Sequence, residues 1–355
     1  MKRTSIYRSH INLNAKMVDF SGFKMPISYP EGISKEVKSV RKSAGIFDVS
    51  HMGFFRIIGD GFVEKSNNLF ISDISKLKPG NAKYTVMCNN EGGIVDDLIV
   101  YMNENSIDLI VNCSNLQKDY NWIKKNLDSS LVLKNQSDSY SILAIQGPNS
   151  RELLEKSLNT SIPLNFFNHM SMVFNDTNMI IARTGYTGEL GYELVVENNV
   201  SLELWSKLLD FGAQPCGLAS RDVLRIEMCY SLYGNDIDME TSPLEAGLNW
   251  LIDKTNNSFI GCDSMMTNKK MICFLLEERG IPRSGYEMIY NEKKVGYITS
   301  GTFSPTLNKG IGFGYLKEKL NEIKLGTTIK IDARGRILQA SIVKPPFIKK
   351  TSLFD

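Results

Sequence analysis

Glu91-Gly92-Gly93-Ile94-Val95-Asp96-Asp97-Leu98-Ile99-Val100-Tyr101 places two adjacent carboxylates inside a run that otherwise reads as a buried β-strand. Tyr84-Thr85-Val86-Met87-Cys88 lies before the Gly-Gly turn, and Ile107-Asp108-Leu109-Ile110-Val111-Asn112 follows a short polar loop. Such runs, bounded by turn residues, predict a hairpin extended by a third strand. Side chains alternate along a strand, so Asp97, Ile99 and Tyr101 share one face while Asp96, Leu98 and Val100 share the other. At least one Asp is thereby directed into the interior or a cleft, where an ionised carboxylate without partners is very costly. A carboxylate held that way marks a candidate site. The alternative, both carboxylates at the solvated start of the strand, stays open at this point.

Outward from this meander, Glu31 to Ala44 reads as an amphipathic helix with Ile33, Val37 and Val40 on one stripe and Gly45 at its end. Residues 46–58 read as strand, turn, strand, with His51 and Met52 in the turn. His51 is a possible base, but a lone His needs a partner in reach, and none is evident. Asn115 to Leu127 is predicted helical, with Leu116, Tyr120, Ile123 and Leu127 as its apolar stripe. Tyr140 to Gln146 is a strand, and Pro148 is placed to open a helix. Met179 to Val196 reads as a hairpin around Gly185, Gly188 and Gly191, a tight turn that a ligand can approach closely. It is not a dinucleotide fingerprint, because no helix follows the glycines. Tyr186 and Glu193 carry groups able to hydrogen-bond a planar heterocycle. Leu202 to Phe211 and residues 220–228 are helical, and Arg221 and Arg225 lie one turn apart on the second of these helices. Such a pair can clamp a carboxylate or serve a structural ion pair with Glu227.

The bulk numbers exclude more than they select. A chain of 355 residues suggests two or three domains, and 42% hydrophobic with 23% charged residues is ordinary for a soluble globular protein. A net charge of +2 gives no case for nucleic acid. No run suits a membrane span, and no apolar segment follows Met1-Lys2-Arg3, so a cytoplasmic location is expected. Six scattered cysteines, without a Cys-x-x-Cys pair, fit reduced thiols rather than a disulfide or zinc framework. His10, His51 and His169 are far apart, which argues against a histidine-rich metal site, and no metal is expected. Beyond Asn256-Asn257-Ser258 the texture changes to short strands: 271–276, 287–290, 295–300, 310–316, 328–332 and 337–343. That pattern predicts a small all-β barrel or sandwich, with the boundary near 265–275.

Eight blocks in order then carry a resemblance. They are residues 16–20 (KMVDF), Phe47-Asp48-Val49-Ser50-His51-Met52-Gly53, and Met87-Cys88-Asn89 leading through Gly92-Gly93 to Asp96-Asp97-Leu98. Next come Arg183-Thr184-Gly185-Tyr186-Thr187-Gly188-Glu189, Gly217-Leu218 with Arg221-Asp222, and residues 243–248 (PLEAGL). The last are residues 300–307 (SGTFSPTL) and Lys344-Pro345-Pro346-Phe347. Together they resemble the T-protein family of the glycine cleavage system, tetrahydrofolate-dependent aminomethyltransferases.

That resemblance implies an α+β fold, a three-lobed cloverleaf of two interwoven α+β lobes plus a C-terminal β-barrel around a central folate pocket. The corresponding division is 1–270 for the folate-binding region and 271–355 for the barrel. It implies transfer of a one-carbon unit from the aminomethyl-dihydrolipoyl arm of lipoylated H-protein to tetrahydrofolate, with release of ammonia. It assigns Asp97 as the catalytic carboxylate. Tyr186 and Glu193 then hold the pterin edge, Met52, Tyr84 and Tyr101 wall the pocket, Asn112 supports it, and Arg221 lies by the folate. The chain departs from the family at Leu190, where an acidic or amide residue is usual, at Asp253, commonly Lys, and in a tail without tyrosines. These departures bear on the carrier-protein surface and the tail. Demethylases of the same fold usually lose the Asp-Asp pair or the 183–189 block, and both are present. Non-enzymatic folate-binding relatives carry a Lys-Gly-Cys-Tyr-type motif that Ser258-Phe259-Ile260-Gly261-Cys262 does not match.

Overall fold

The computed structural model of the chain describes residues 1–253, 258–317 and 323–355; the change of texture at Asn256-Asn257 lies outside them. The N-terminal part runs β1 (Lys2–Arg3), α1 (Tyr7–Asn12), β2 (Lys16–Phe20), β3 (Phe23–Ser28), α2 (Ile33–Lys42), β4 (Gly45–Asp48), β5 (Gly53–Ile58) and α3 (Phe62–Ser66). The meander follows as β6 (Ala82–Cys88), β7 (Ile94–Met102) and β8 (Ile107–Val111), then α4 (Leu116–Asn126) and β9 (Val132–Asn135). Next are β10 (Tyr140–Gln146), α5 (Ser150–Leu158), β11 (His169–Phe174), β12 (Thr177–Ala182), β13 (Gly191–Glu197), α6 (Asn198–Asp210), β14 (Gln214–Pro215) and α7 (Leu218–Glu227). The C-terminal strands are β15 (Lys270–Leu276), β16 (Glu287–Tyr290), β17 (Lys293–Ser304), β18 (Lys309–Leu316), β19 (Thr328–Ala333) and β20 (Arg336–Val343).

Two larger sheets share the N-terminal region: β6-β7-β8-β5-β9, and β11-β12-β13-β10-β4-β14. The chain passes between them twice, from β4 to β5 and again from β9 to β10. The strands at 46–58 therefore do not pair with one another. Asp48 to His51 instead spans two sheets, with Phe47 opposite Ala144 of β10 and Phe54 opposite Ile110 of β8. This crossing is what interweaves the two α+β lobes.

The meander forms as its pattern predicts, with Val86 opposite Asp97 and Met87 opposite Asp96. Its turn is dictated by glycine. Gly92 has φ +80°, a left-handed backbone that residues with a Cβ rarely adopt, and a Cβ on Gly93 would sit 1.8 Å from the Met239 carbonyl oxygen. The loop after α7 packs directly on this turn, with Ile94 N donating to the carbonyls of Asp238 and Thr241.

The six C-terminal strands close into a barrel, β15-β18-β17-β16-β19-β20. Its longest strand, β17, docks on α7. Arg225 Nη2 donates to Ser300 Oγ at 2.8 Å, and Ser304 Oγ bonds Glu227 Oε1. The predicted helix opening at Pro148 starts two residues later, at Ser150, because Gly147 and Asn149 still make turn bonds to Leu190 and Ser43.

Candidate functional site

Where the meander sheet, α7 and the barrel meet, the chain forms a cavity of about 2310 Å³ that opens to solvent. Asp97 stands on its wall, and the alternation along β7 explains how. Asp97 and Ile99 face the cavity, whereas Asp96 points to the opposite face and is fully buried.

The Asp97 carboxylate is held at both ends. Tyr84 donates its hydroxyl to Oδ2 at 3.0 Å, and Asn112 Nδ2 donates to Oδ1 at 2.9 Å. Asn112 directly follows β8, so the third strand delivers this amide to both carboxylates; its Nδ2 also lies 2.9 Å from Asp96 Oδ1. Burial and the neighbouring Asp96 push the Asp97 carboxyl up to about 7. A carboxyl poised there exchanges a proton near neutrality and, once ionised, places a fixed negative charge in the cavity wall. Tyr84 in turn stacks on Trp250, with centroids 6.3 Å apart, and Trp250 is 63% exposed at the cavity.

The opposite wall comes from β13, α7 and the 183–190 loop. Glu193 Oε2 accepts from Thr184 Oγ1 at 2.6 Å, and its other oxygen lies 3.9 Å from Arg221 Nη2. Arg221 packs over the rings of Tyr186 and Phe47, at 5.1 and 5.9 Å, and its Nη1 is buried without a partner among the described residues. Burial alone would favour losing its proton, and Glu193 opposes that. A buried guanidinium with an unpaired edge beside a half-used carboxylate is a donor and acceptor set left open to a polar ligand.

The glycine loop is shaped by the protein's own side chains. A Cβ on Gly185 would meet Gln146 Oε1 at 2.0 Å, and one on Gly191 would meet Gln146 Nε2 at 2.4 Å. Gln146 is itself fixed by Thr187 Oγ1 at 2.9 Å and the Thr184 carbonyl at 3.2 Å. Close approach at these glycines is thus to Gln146, and not only to the cavity. Arg41 of α2 clamps the loop from behind through Glu189, Glu227 and the Thr187 carbonyl, at 2.7 to 2.8 Å.

Of the eight site residues expected from sequence, Met52, Tyr84, Asp97, Asn112, Tyr186, Glu193 and Arg221 line this one cavity. Tyr101 does not. It shares the Asp97 face, but residues 167–169 run across that end of the strand, and its fully buried ring lies against His169 with centroids 5.2 Å apart. Tyr186 commits its hydroxyl to the Ser231 carbonyl and stacks on Tyr230, so it offers the cavity a ring rather than an O–H. His51 is buried edge-on to Phe20, and burial lowers it to about 4, so it is a neutral wall and a poor base. The two arginines of α7 separate clearly: Arg225 is spent on Asp222 and Asp236, while Glu227 pairs with Arg41.

The departures also find places. Leu190 is buried and its N–H donates to Ser352 Oγ, while Glu189 accepts from Ser352, so the tail is bound without tyrosines. Asp253 pairs with Lys76. Sequence reasoning missed Trp250, Tyr230 and the polar face of α4. Among the described residues no three or more His, Cys, Asp or Glu side chains are arranged to hold a metal, and no helix is long and apolar enough to cross a membrane.

Comparison with known proteins returns one consistent result. Residues 6–256 match the GCVT N-terminal domain, and residues 269–349 match the glycine cleavage T-protein C-terminal barrel domain. An aminomethyltransferase of Halothermothrix orenii is 41% identical over 360 residues, covering 98% of this chain and 100% of the relative. One from Thermotoga maritima is 39% identical, with 98% of each covered. The crystal structure of the glycine cleavage system aminomethyltransferase T from Bartonella henselae superposes with a TM-score of 0.93 at 29% identity, covering 99% of both chains.

Proposed function

The chain belongs to the glycine cleavage T-protein family and is an aminomethyltransferase, and from that premise we propose that its central cavity binds tetrahydrofolate, with Asp97 as the catalytic carboxylate. The division proposed is 1–270 for the folate-binding region and 271–355 for the barrel. The carrier is a lipoylated H-protein whose aminomethyl-dihydrolipoyl arm enters the same cavity. No metal takes part in this reading, and the location proposed is the cytoplasm.

The observation that carries it is the pairing of two unlike walls. Asp97 faces the cavity from one side, with its proton poised near neutrality. Glu193 and Arg221 present an open acceptor and donor from the other. The amino and ring N–H groups on a pterin edge suit Glu193, and the Arg221 fork suits a pterin acceptor. Between those walls, Met52 and the rings of Tyr84 and Tyr186 supply flat or soft surface for a planar heterocycle.

Breaking the carbon–sulfur bond of the aminomethylated arm, or expelling ammonia, develops iminium-like positive charge on the transferred carbon. An anion fixed by Tyr84 and Asn112 stabilises that charge without having to reorganise. The same carboxylate accepts the proton shed by the folate nitrogen as it bonds to carbon. Methylenetetrahydrofolate, ammonia and the reduced dihydrolipoyl arm are the products.

The test is single-turnover ammonia release from aminomethylated H-protein, with and without tetrahydrofolate, with the methylene product followed in parallel. Asp97→Asn should keep folate affinity and lose about 10²-fold or more in turnover, the range for a positioned acid–base group. Full activity in that variant would remove Asp97 from the mechanism.

A further inference from the structure

Behind Asp97 lies a polar layer that the reaction above leaves unused. On the opposite face of β7, Asp96 accepts from Asn112 N at 3.1 Å, Asn112 Nδ2 at 2.9 Å and Asn115 Nδ2 at 2.6 Å. Asn115 and Asp119 stand one turn apart at the start of α4, so both side chains meet the same strand. Asp119 is fully buried, with its carboxyl within hydrogen-bond reach of Asp96. Neither of its oxygens receives a bond from an N–H or O–H group among the described residues.

The charged and titratable groups around it are Asp96 and Asp97 from β7, Lys118 from its own helix and Tyr233 from the segment after α7. Lys118 turns its ammonium elsewhere, to the Val95 carbonyl at 2.6 Å and the Tyr233 hydroxyl at 2.7 Å. An ionised Asp119 would therefore face a second carboxylate at a fully buried position with no donor of its own among the described residues, an arrangement that folded proteins avoid. One shared proton removes the conflict, as it does wherever two carboxyl groups meet.

We propose that Asp119 is a permanently protonated carboxylic acid that donates a hydrogen bond to Asp96 and thereby acts as a positioning residue for Asp97. Burial and then Asp96 push the Asp119 carboxyl up to about 11, which agrees with the geometry. The connection to Asp97 is Asn112. Its Nδ2 lies 2.9 Å from Asp96 Oδ1, 2.9 Å from Asp97 Oδ1 and 3.0 Å from the Asp97 carbonyl. An Asp96 free to rotate would draw that amide away and release the catalytic carboxylate. Amide hydrogens do not relay protons readily, so the chain Asp119–Asp96–Asn112–Asp97 transmits orientation rather than a proton. The inference rests on the role proposed for Asp97.

The experiment uses the full-length chain as wild type, Asp119→Asn and Asp119→Leu. An infrared difference spectrum of wild type minus Asp119→Asn, taken near pH 8, should contain the carbonyl band of a neutral carboxylic acid; carboxylate bands alone would overturn the proposal. Asparagine keeps a neutral donor in place, so kcat and the acid-side inflection of kcat/KM should stay within about twofold and about 0.3 units of wild type. A downward move of that inflection by about one unit would mean that a negative charge had been removed, and would also overturn it. Leucine is neutral but cannot donate, and should lower kcat about tenfold with folate KM little changed. Wild-type kcat in the leucine variant would refute the positioning role. If leucine prevents folding, the spectrum and the asparagine pH profile decide the matter. The infrared band reports the proton whether or not Asp97 is catalytic, so a fully active Asp97→Asn would sink the role of Asp97 without touching this result.

Discussion

Asp97→Asn, the variant expected to stop turnover, should also make the protein more stable, and only above a definable pH. The folded carboxyl is raised from an ordinary 3.8 to about 7, chiefly by burial and secondly by Asp96. Between these two values the folded state holds a proton that the unfolded chain has already lost. Stability from this group is therefore full only well below pH 3.8 and falls as pH rises towards 7, beyond which the loss is constant. A shift of about three units, at 1.36 kcal/mol each, sets a ceiling of about 4 kcal/mol. Relaxation of the site and entry of water from the cavity reduce it, to about 2 kcal/mol.

Asparagine escapes this cost because it never ionises. Its carbonyl can still accept from Asn112, and its amide can donate to the Tyr84 hydroxyl, which then acts as acceptor. Urea unfolding of both proteins near pH 8 should show the variant more stable by about 2 kcal/mol, and near pH 4.5 the difference should shrink to about 0.5 kcal/mol. A difference of the same size at both pH values would show that the effect is packing and not charge. A wild type more stable near pH 8 would refute the account of Asp97 as an anion held against its environment.

Two further substitutions probe the opposite wall. Arg221→Lys keeps the charge but loses the planar fork stacked over Tyr186 and Phe47, so folate affinity measured by titration should fall about tenfold or more, with kcat much less affected. Gly185→Ala would drive a Cβ to 2.0 Å from Gln146 Oε1, and should cost about 2–3 kcal/mol in chemical unfolding. Adding Gln146→Ala should recover part of that loss in a double-mutant cycle, and strict additivity would exclude the clash as its cause.

What could be read from the sequence, and what could not, follows from how far each signal reaches along the chain. The meander was legible because its strands are consecutive and its turn demands glycine, and the alternation that separates Asp96 from Asp97 is a local property of one strand. The barrel strands were legible for the same reason; the sequence reading located all six, and β16 has the predicted bounds. Tyr101 shares the Asp97 face as alternation requires, but it lies deeper than the pocket wall the resemblance implied, because alternation gives a face and not a depth. Its covering residues, 167–169, lie far along the chain and arrive through backbone bonds such as Ala82 N to the Phe167 carbonyl. The arginines of α7 could not be told apart by spacing, since what separates them is Asp236 beside Arg225 and, among the described residues, the absence of any such partner at Arg221 Nη1.

The polar face of α4 is the instructive omission. Reading that helix for its apolar stripe selected Leu116, Tyr120, Ile123 and Leu127, and of these only Ile123 is fully buried. The face against the meander instead carries Asn115 and Asp119 with Ile123, at four-residue spacing. Polar residues on a buried stripe look like solvent-facing ones unless the element opposite is known. Here that element is the strand bearing two carboxylates, which needs donors on its inner face as much as a ligand on its outer one. A carboxylate pair on a buried strand thus predicts a second polar layer behind it, and the helix that follows the meander is the nearest place to look.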